Sequence, residues 1–246
     1  MASVIGLRFS GQRAPLLLRP VATRVYGLST TKQTAVRHYS QPRHDHFAIN
    51  EYGLISTHVP VPWRYRPSIF SLAGVESARM HFVETLRGWF SYATMMYHLS
   101  GWRKGAFATQ AEALCEAMNE AFAEGDVKTL NAMCFPSMAG NLKNDIKRRK
   151  ATLDWRKVRS VTPPKIVQIT CGRLATDMTI GQVIVRIDQE QIVTPASTRS
   201  SASRSSPKPV RVTEYIVFQR LITDPASPWR IFCKIGVPKW DQAIQK

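Results

Sequence analysis

Four segments dense in Val, Ile, Thr and aromatic residues close the chain: Lys165–Cys171, Gly181–Val193, Val210–Ile222 and Trp229–Val237. Such residues suit the pleated, half-buried surface of a strand. No stretch of helical periodicity separates them, so the crossovers that parallel strands need are missing. An antiparallel sheet is the topology left. Pro163-Pro164 leads into the first segment. The Ser-rich Pro195–Pro209, with Arg199, Arg204 and Lys208 and no acidic residue, reads as a long flexible connection between two strands.

Helical patterns precede the strands. Val75, Ala78, Phe82, Leu86, Trp89, Ala93 and Met96 recur at spacings of three and four, predicting an amphipathic helix over 75–100, with Glu76, Glu84, Arg87, Ser91, Thr94 and His98 on its polar side. Gly101 ends it. A membrane span needs about 20 apolar residues, and Glu84 with Arg87 interrupts any such window. From Gly105 a second region begins, with a capping box at Thr109–Glu112 and a buried face of Leu114, Met118, Ala121 and Phe122. Gly125 closes that helix, Asp126 caps a short one, and Ser137 opens a third with Met138, Leu142 and Ile146 inward. Helices first and a meander after is an α+β order.

The charge is far from balanced. Thirty-four Lys and Arg face 17 Asp and Glu, a net charge of +17, and a chain so basic seeks phosphate in nucleic acid or on an anionic lipid surface. The densest cluster is Lys143, Lys147, Arg148, Arg149, Lys150, Arg156, Lys157 and Arg159, opposed only by Asp145 and Asp154. Lys143, Lys147 and Lys150 fall on one helical face, where like charges repel until a polyanion relieves them. These eight residues are the expected RNA-binding set. Backbone contacts of this kind read no base sequence.

A second surface is expected ahead of the domain. Residues 40–74 carry Pro42, Pro60, Pro62 and Pro67, which exclude a regular helix or a central strand. An extended arm that folds against a partner is the reading. Trp63, Arg64 and Arg66 in that arm, Phe82, Leu86, Trp89 and Phe90 on the helix, and Trp102, Arg103 and Lys104 after it combine aromatics with cations. They are the expected contacts with a membrane surface or a neighbouring protein.

The first 39 residues hold Arg8, Arg13, Arg19, Arg24, Lys32 and Arg37, many Ser and Thr, and no acid. That is the composition of a mitochondrial transit peptide. Arg37-His38-Tyr39-Ser40 resembles a matrix-processing site. Removing those six positive charges from +17 leaves +11, so the basic character does not depend on the presequence.

Catalytic chemistry finds no support. There is no glycine-rich phosphate loop, nucleophile elbow or His-x-x-x-His pair. Asp188 and Glu190 share one face of a strand and read as a solvent-facing edge rather than an acid–base pair. Cys115, Cys134, Cys171 and Cys233 lack zinc-ligand or disulfide spacing and sit in apolar runs. No cofactor is expected.

Several stretches resemble the Tim44-like family, in particular its branch of mitochondrial large-subunit ribosomal proteins, which also holds a fungal inner-membrane ribosome receptor. They are Cys134-Phe135-Pro136-Ser137-Met138, Trp155 through Val161 with Pro163-Pro164-Lys165-Ile166-Val167, Gly181 through Arg186, Glu214 through Phe218, Trp229-Arg230-Ile231 and Lys234-Ile235. In order they cover residues 105–240. The resemblance implies a cone-like α+β fold similar to nuclear transport factor 2, with about three helices packed on a curved antiparallel four-stranded sheet behind an N-terminal extension and helix. It also implies ribosomal RNA, ribosomal proteins, the inner membrane and its insertion machinery as partners, with a place in the mitochondrial matrix near the tunnel exit. The import-motor scaffold of the same family is the rival reading. Its long charged helical region is not matched by the 65 Pro- and aromatic-rich residues at 40–104.

Overall fold

The computed structural model describes residues 52–68, 70–149, 151–195 and 207–242. The processing-site residues Arg37, His38, Tyr39 and Ser40, like Lys150 and most of the Ser-rich connection, lie outside them. The helices are α1 (Leu72–His98), α2 (Lys104–Glu124), α3 (Val127–Met133), α4 (Pro136–Arg148) and a final turn, α5 (Lys239–Gln242). The strands are β1 (Leu153–Ala175), β2 (Met178–Pro195), β3 (Val210–Leu221) and β4 (Arg230–Ile235), an antiparallel meander in the order β1-β2-β3-β4. The α+β class and the four-stranded antiparallel sheet are as the sequence predicts.

Local chemistry sets the helix ends. Gly125 takes φ +85° to close α2, and the Asp126 carboxylate accepts from the N–H groups of Lys128 and Thr129 to open α3. Two predicted starts are displaced. α2 begins at Lys104, so Thr109 lies inside it, and its hydroxyl donates back to the Gly105 carbonyl instead of capping. α4 begins at Pro136, whose missing N–H costs nothing at the first helical position, rather than at Ser137. The strands also run longer than predicted at the β1–β2 end. Pro163-Pro164 sits within β1, tolerated because β1 is an edge strand and its register with β2 shifts between Thr162 and Lys165. The other edge is covered: Cys134 bridges to Ile231, and the Phe135 N–H donates to the Ile231 carbonyl.

Val183, Val185 and Ile187 of β2 and Ile216 and Phe218 of β3 meet α2, α3 and α4 in the main core. The alternate residues Gln182, Ile184, Arg186 and Asp188 are opposed on β3 by Gln219, Val217, Tyr215 and Thr213, and this second face is buried as well. Two segments cover it. The arm crosses one end, and α5 plugs the other by setting Asp241 against Arg186 (2.9 Å) and the Tyr215 hydroxyl (2.8 Å).

Candidate nucleic-acid and membrane-facing surfaces

Residues 53–56 of the arm lie on the chain's own sheet. Gln182 Oε1 accepts from the Ile55 N–H at 2.9 Å while its Nε2 donates to the Ser56 carbonyl at 2.6 Å. Gln219 Nε2 donates to the Gly53 carbonyl at 2.8 Å and to Gln182 Oε1 at 3.0 Å. Side-chain amides thus do the work of a neighbouring strand. Further along, Trp63 is 73% exposed. Arg66 bonds the Val61 carbonyl and His81 of α1 and stands over the Trp63 ring, which ties the arm to the helix. Arg64 is exposed.

α1 is oriented against its own pattern. It meets β1 through small and polar residues: Gly88 faces the Ile169 carbonyl, the Ser91 hydroxyl accepts from the Cys171 N–H at 3.0 Å, and Glu84 accepts from Gln168. Met95 reaches deepest, over Gly181, where a Cβ would lie 2.8 Å from the Met95 methyl. The predicted apolar stripe points outward instead, with Phe82 at 64% and Trp89 at 75% exposure. Phe90, Leu86, Val75, Met80, Met96 and Tyr97 join it at the surface. Ser91, expected on the solvent side, is buried. Burial here follows close approach to the sheet edge, which small residues permit and aromatics forbid. No helix among the described residues is long and apolar enough to cross a membrane.

At the end of α1, Trp102 leaves the predicted contact set. It packs into the core against Phe107 (5.6 Å between centroids) and Tyr92 (6.0 Å). Lys104 sits over the Tyr92 ring at 4.2 Å, and Arg103 is exposed.

The eight cations of the basic cluster divide by environment. Lys143, Lys147 and Arg148 are exposed on α4, opposite buried Met138 and Leu142, and Arg156 is exposed on β1. None of these four has an ion-pair partner among the described residues. Lys157 is held by Glu112 (2.8 Å) and Glu116 of α2. Burial alone would lower its pKa, but the two carboxylates raise it, while Glu112, which burial would raise, is held low by Lys157 and Ser160. Arg159 forms a fork with Glu190, both bonds 2.8 Å. Arg149 donates to the Phe122 carbonyl at 2.7 Å and lies on that ring. α4 ends at Arg148 and Arg149 is extended, while Lys150, the third position of the predicted lysine face, lies outside the described residues.

Asp188 corrects another expectation. β2 is a central strand, and Asp188 is 1% exposed rather than solvent-facing. It accepts from Arg211 at 2.7 Å and 2.9 Å and from Thr213, with Arg186 alongside. The Arg211 hydrogen bonds outweigh burial and hold its carboxyl below the ordinary range. Every charge in this network has a structural partner. Burial drives the Cys115 thiol well above its ordinary range and pushes Cys134 up to about 12. No group of three or more His, Cys, Asp or Glu could hold a metal among the described residues.

Residues 91–235 match the Tim44-like domain. A protein of Xenopus tropicalis described as large ribosomal subunit protein mL45 is 26% identical over 194 residues, covering 76% of this chain and 60% of that protein. Its counterpart in Bos taurus is 34% identical over 109 residues, 44% of this chain and 33% of the relative. That of Drosophila melanogaster is 28% identical over 114 residues, 46% and 30% respectively. The chain therefore spans at most about 60% of the length of these curated relatives. Among solved structures, the intermembrane space region of chloroplast protein ARC6 aligns over 52% of this chain and 94% of that one. At a TM-score of 0.30 and 9% identity, that superposition carries no argument.

Proposed function

Since the chain belongs to the Tim44-like family, we propose that it is a non-enzymatic component of the mitochondrial large ribosomal subunit, working in the matrix at the surface of the inner membrane. The name shared by its relatives supports the ribosomal part. The outward apolar face of α1 carries the membrane part. A 27-residue helix, about 40 Å long, sets its aromatics away from the protein that anchors it. In a helix lying along a bilayer that face enters the headgroup boundary, while Arg79 and Arg87 meet phosphate.

Ribosomal RNA is held by four exposed cations of the basic cluster with no ion-pair partner among the described residues, Lys143, Lys147, Arg148 and Arg156. Each neutralises a phosphate and releases a counterion. The two contacts reinforce one another: attachment to the ribosome raises the local concentration of α1 at the membrane, so neither needs to be strong alone.

The test is sedimentation of detergent-solubilised mitochondria through a salt series. Co-migration of the protein with the large subunit through high salt is the expected result. Release at moderate salt, with the protein kept on alkali-sensitive membranes, would make it an exchangeable receptor. Migration with import components and never with ribosomes overturns the proposal.

A further inference from the structure

Past Arg186 and α5, the second face of the sheet is set with arginine. Glu190 of β2 stands directly opposite Arg159 of β1 and Arg211 of β3, and Arg156 lies opposite Ile192, two residues further along β2. At a strand spacing of about 4.8 Å, the two arginine backbones flank Glu190 roughly 10 Å apart. The acids here are spent. Asp188 accepts from Nε and Nη2 of Arg211, and Glu190 accepts from the same two atoms of Arg159. Asp154, opposite Thr194 at the margin, is half-buried. A guanidinium has five N–H donors, so three on each arginine remain beyond these bonds, on side chains 68% (Arg159) and 44% (Arg211) exposed. Clamped by a carboxylate, each loses less freedom on taking a second anion.

Lys143, Lys147 and Arg148 stand on the other side of the molecule. α4 packs Met138, Ala139 and Leu142 with Val183, Val185 and Ile187 of β2, and those strand residues alternate with Asp188 and Glu190, so they face the opposite way. A sheet and a helix layer put on the order of 15–20 Å of protein between the two sets of cations. A nucleic-acid duplex is stiff over roughly 150 base pairs and does not turn from one side to the other. We infer that the protein bridges two separate duplex segments of RNA, one held by its phosphates on α4 and one on Arg156, Arg159 and Arg211 of the sheet face. The inference rests on the reading that the chain binds ribosomal RNA and adds a second, opposed site to it. The free edge of each clamped arginine donates to two oxygens of a phosphate. The positions adjoining the arginines include Ile192, Thr162 and Thr213. None of these offers a ring on which a splayed base could stack, and a duplex is bound through its phosphates without one.

The full chain is mixed with an excess of an RNA duplex of about 20 base pairs, and sedimentation equilibrium reads the mass of the complex. One chain carrying two duplexes is expected. Lys143→Gln, Lys147→Gln and Arg148→Gln together leave one duplex per chain. Arg156→Glu, Arg159→Lys and Arg211→Lys together do the same, because the lysines keep a charge on Glu190 and Asp188 but lose the second edge. Arg156→Glu alone weakens the second duplex about tenfold. It alters an exposed residue with no ion-pair partner among the described residues, which keeps the test valid if the triple variant folds poorly. One duplex per native chain overturns the inference and leaves RNA binding standing. A second duplex that survives the sheet-face variants also overturns it. So does loss of flotation on anionic vesicles in those variants with both duplexes retained, which would assign the arginines to lipid. A native chain that binds no duplex removes the RNA reading itself, and the inference with it.

Discussion

Gln182 grips the arm's backbone at two successive residues, accepting from the N–H of Ile55 and donating to the carbonyl of Ser56. Gln182→Leu removes both bonds and one partner of Gln219. A buried amide lost in this way should destabilise the fold by about 2 kcal/mol. Hydrogen exchange at residues 53–58 should rise far more than exchange in β2. Uniform acceleration throughout the domain would mean that the arm is integral to the core and not a separately docked strap.

The two faces of α1 should respond differently to truncation. Trp89→Ser with Phe90→Ser alters exposed residues and should leave unfolding free energy within about 1 kcal/mol of the native value. Flotation with inner-membrane lipid vesicles should fall sharply. Met95→Ala opens a cavity above Gly181 and should cost about 2–5 kcal/mol. If the Trp89/Phe90 pair proves as destabilising as Met95→Ala, the outward face is core.

Ribosome binding should follow the division among the cations. Replacing Lys143, Lys147, Arg148 and Arg156 by Gln should flatten the plot of log affinity against log salt by roughly 0.7–0.9 per phosphate contact removed. Lys157→Gln should leave that slope unchanged but lower the melting temperature, because it strands Glu112 and Glu116. Salt-dependent co-sedimentation and thermal melts distinguish the two behaviours.

Asp188 should make stability depend on pH on the acid side. Its carboxyl is held low in the folded protein by Arg211. Its contribution is therefore complete above the unfolded value near 3.9 and is lost as pH falls through the lowered native value. Melting temperature in the native protein should drop steeply below about pH 4. Asp188→Asn should be less stable at neutral pH and show a shallower acid slope. Parallel acid slopes in the two proteins would place the titration elsewhere.

The residues that announce their own role locally are the ones the sequence makes legible. Gly125 and Asp126 punctuate α2 and α3 by rules that need no tertiary context, and the β-branched runs with no helix between them dictate the meander. Periodicity also reveals that α1 is a helix. It does not say which side goes inward, because that depends on how closely Gly88 and Ser91 allow the helix to approach the edge of β1. The polar partners on the second sheet face are hidden for a related reason. Gln182, Gln219 and Asp188 look like the solvent side of an alternating strand until the arm and α5 cover them. Of the basic cluster, composition gives the charge but not its availability, since Glu112, Glu116 and Glu190 come from α2 and β2 to claim Lys157 and Arg159.

The inverted helix has a consequence for the life of the molecule before it reaches its site. A helix that buries serine and glycine and leaves tryptophan and phenylalanine in water gains little from the final folding step, so a correctly folded copy remains adhesive. Like faces meet more often as concentration rises. Self-association through α1 is therefore the expected behaviour of the free chain at high concentration.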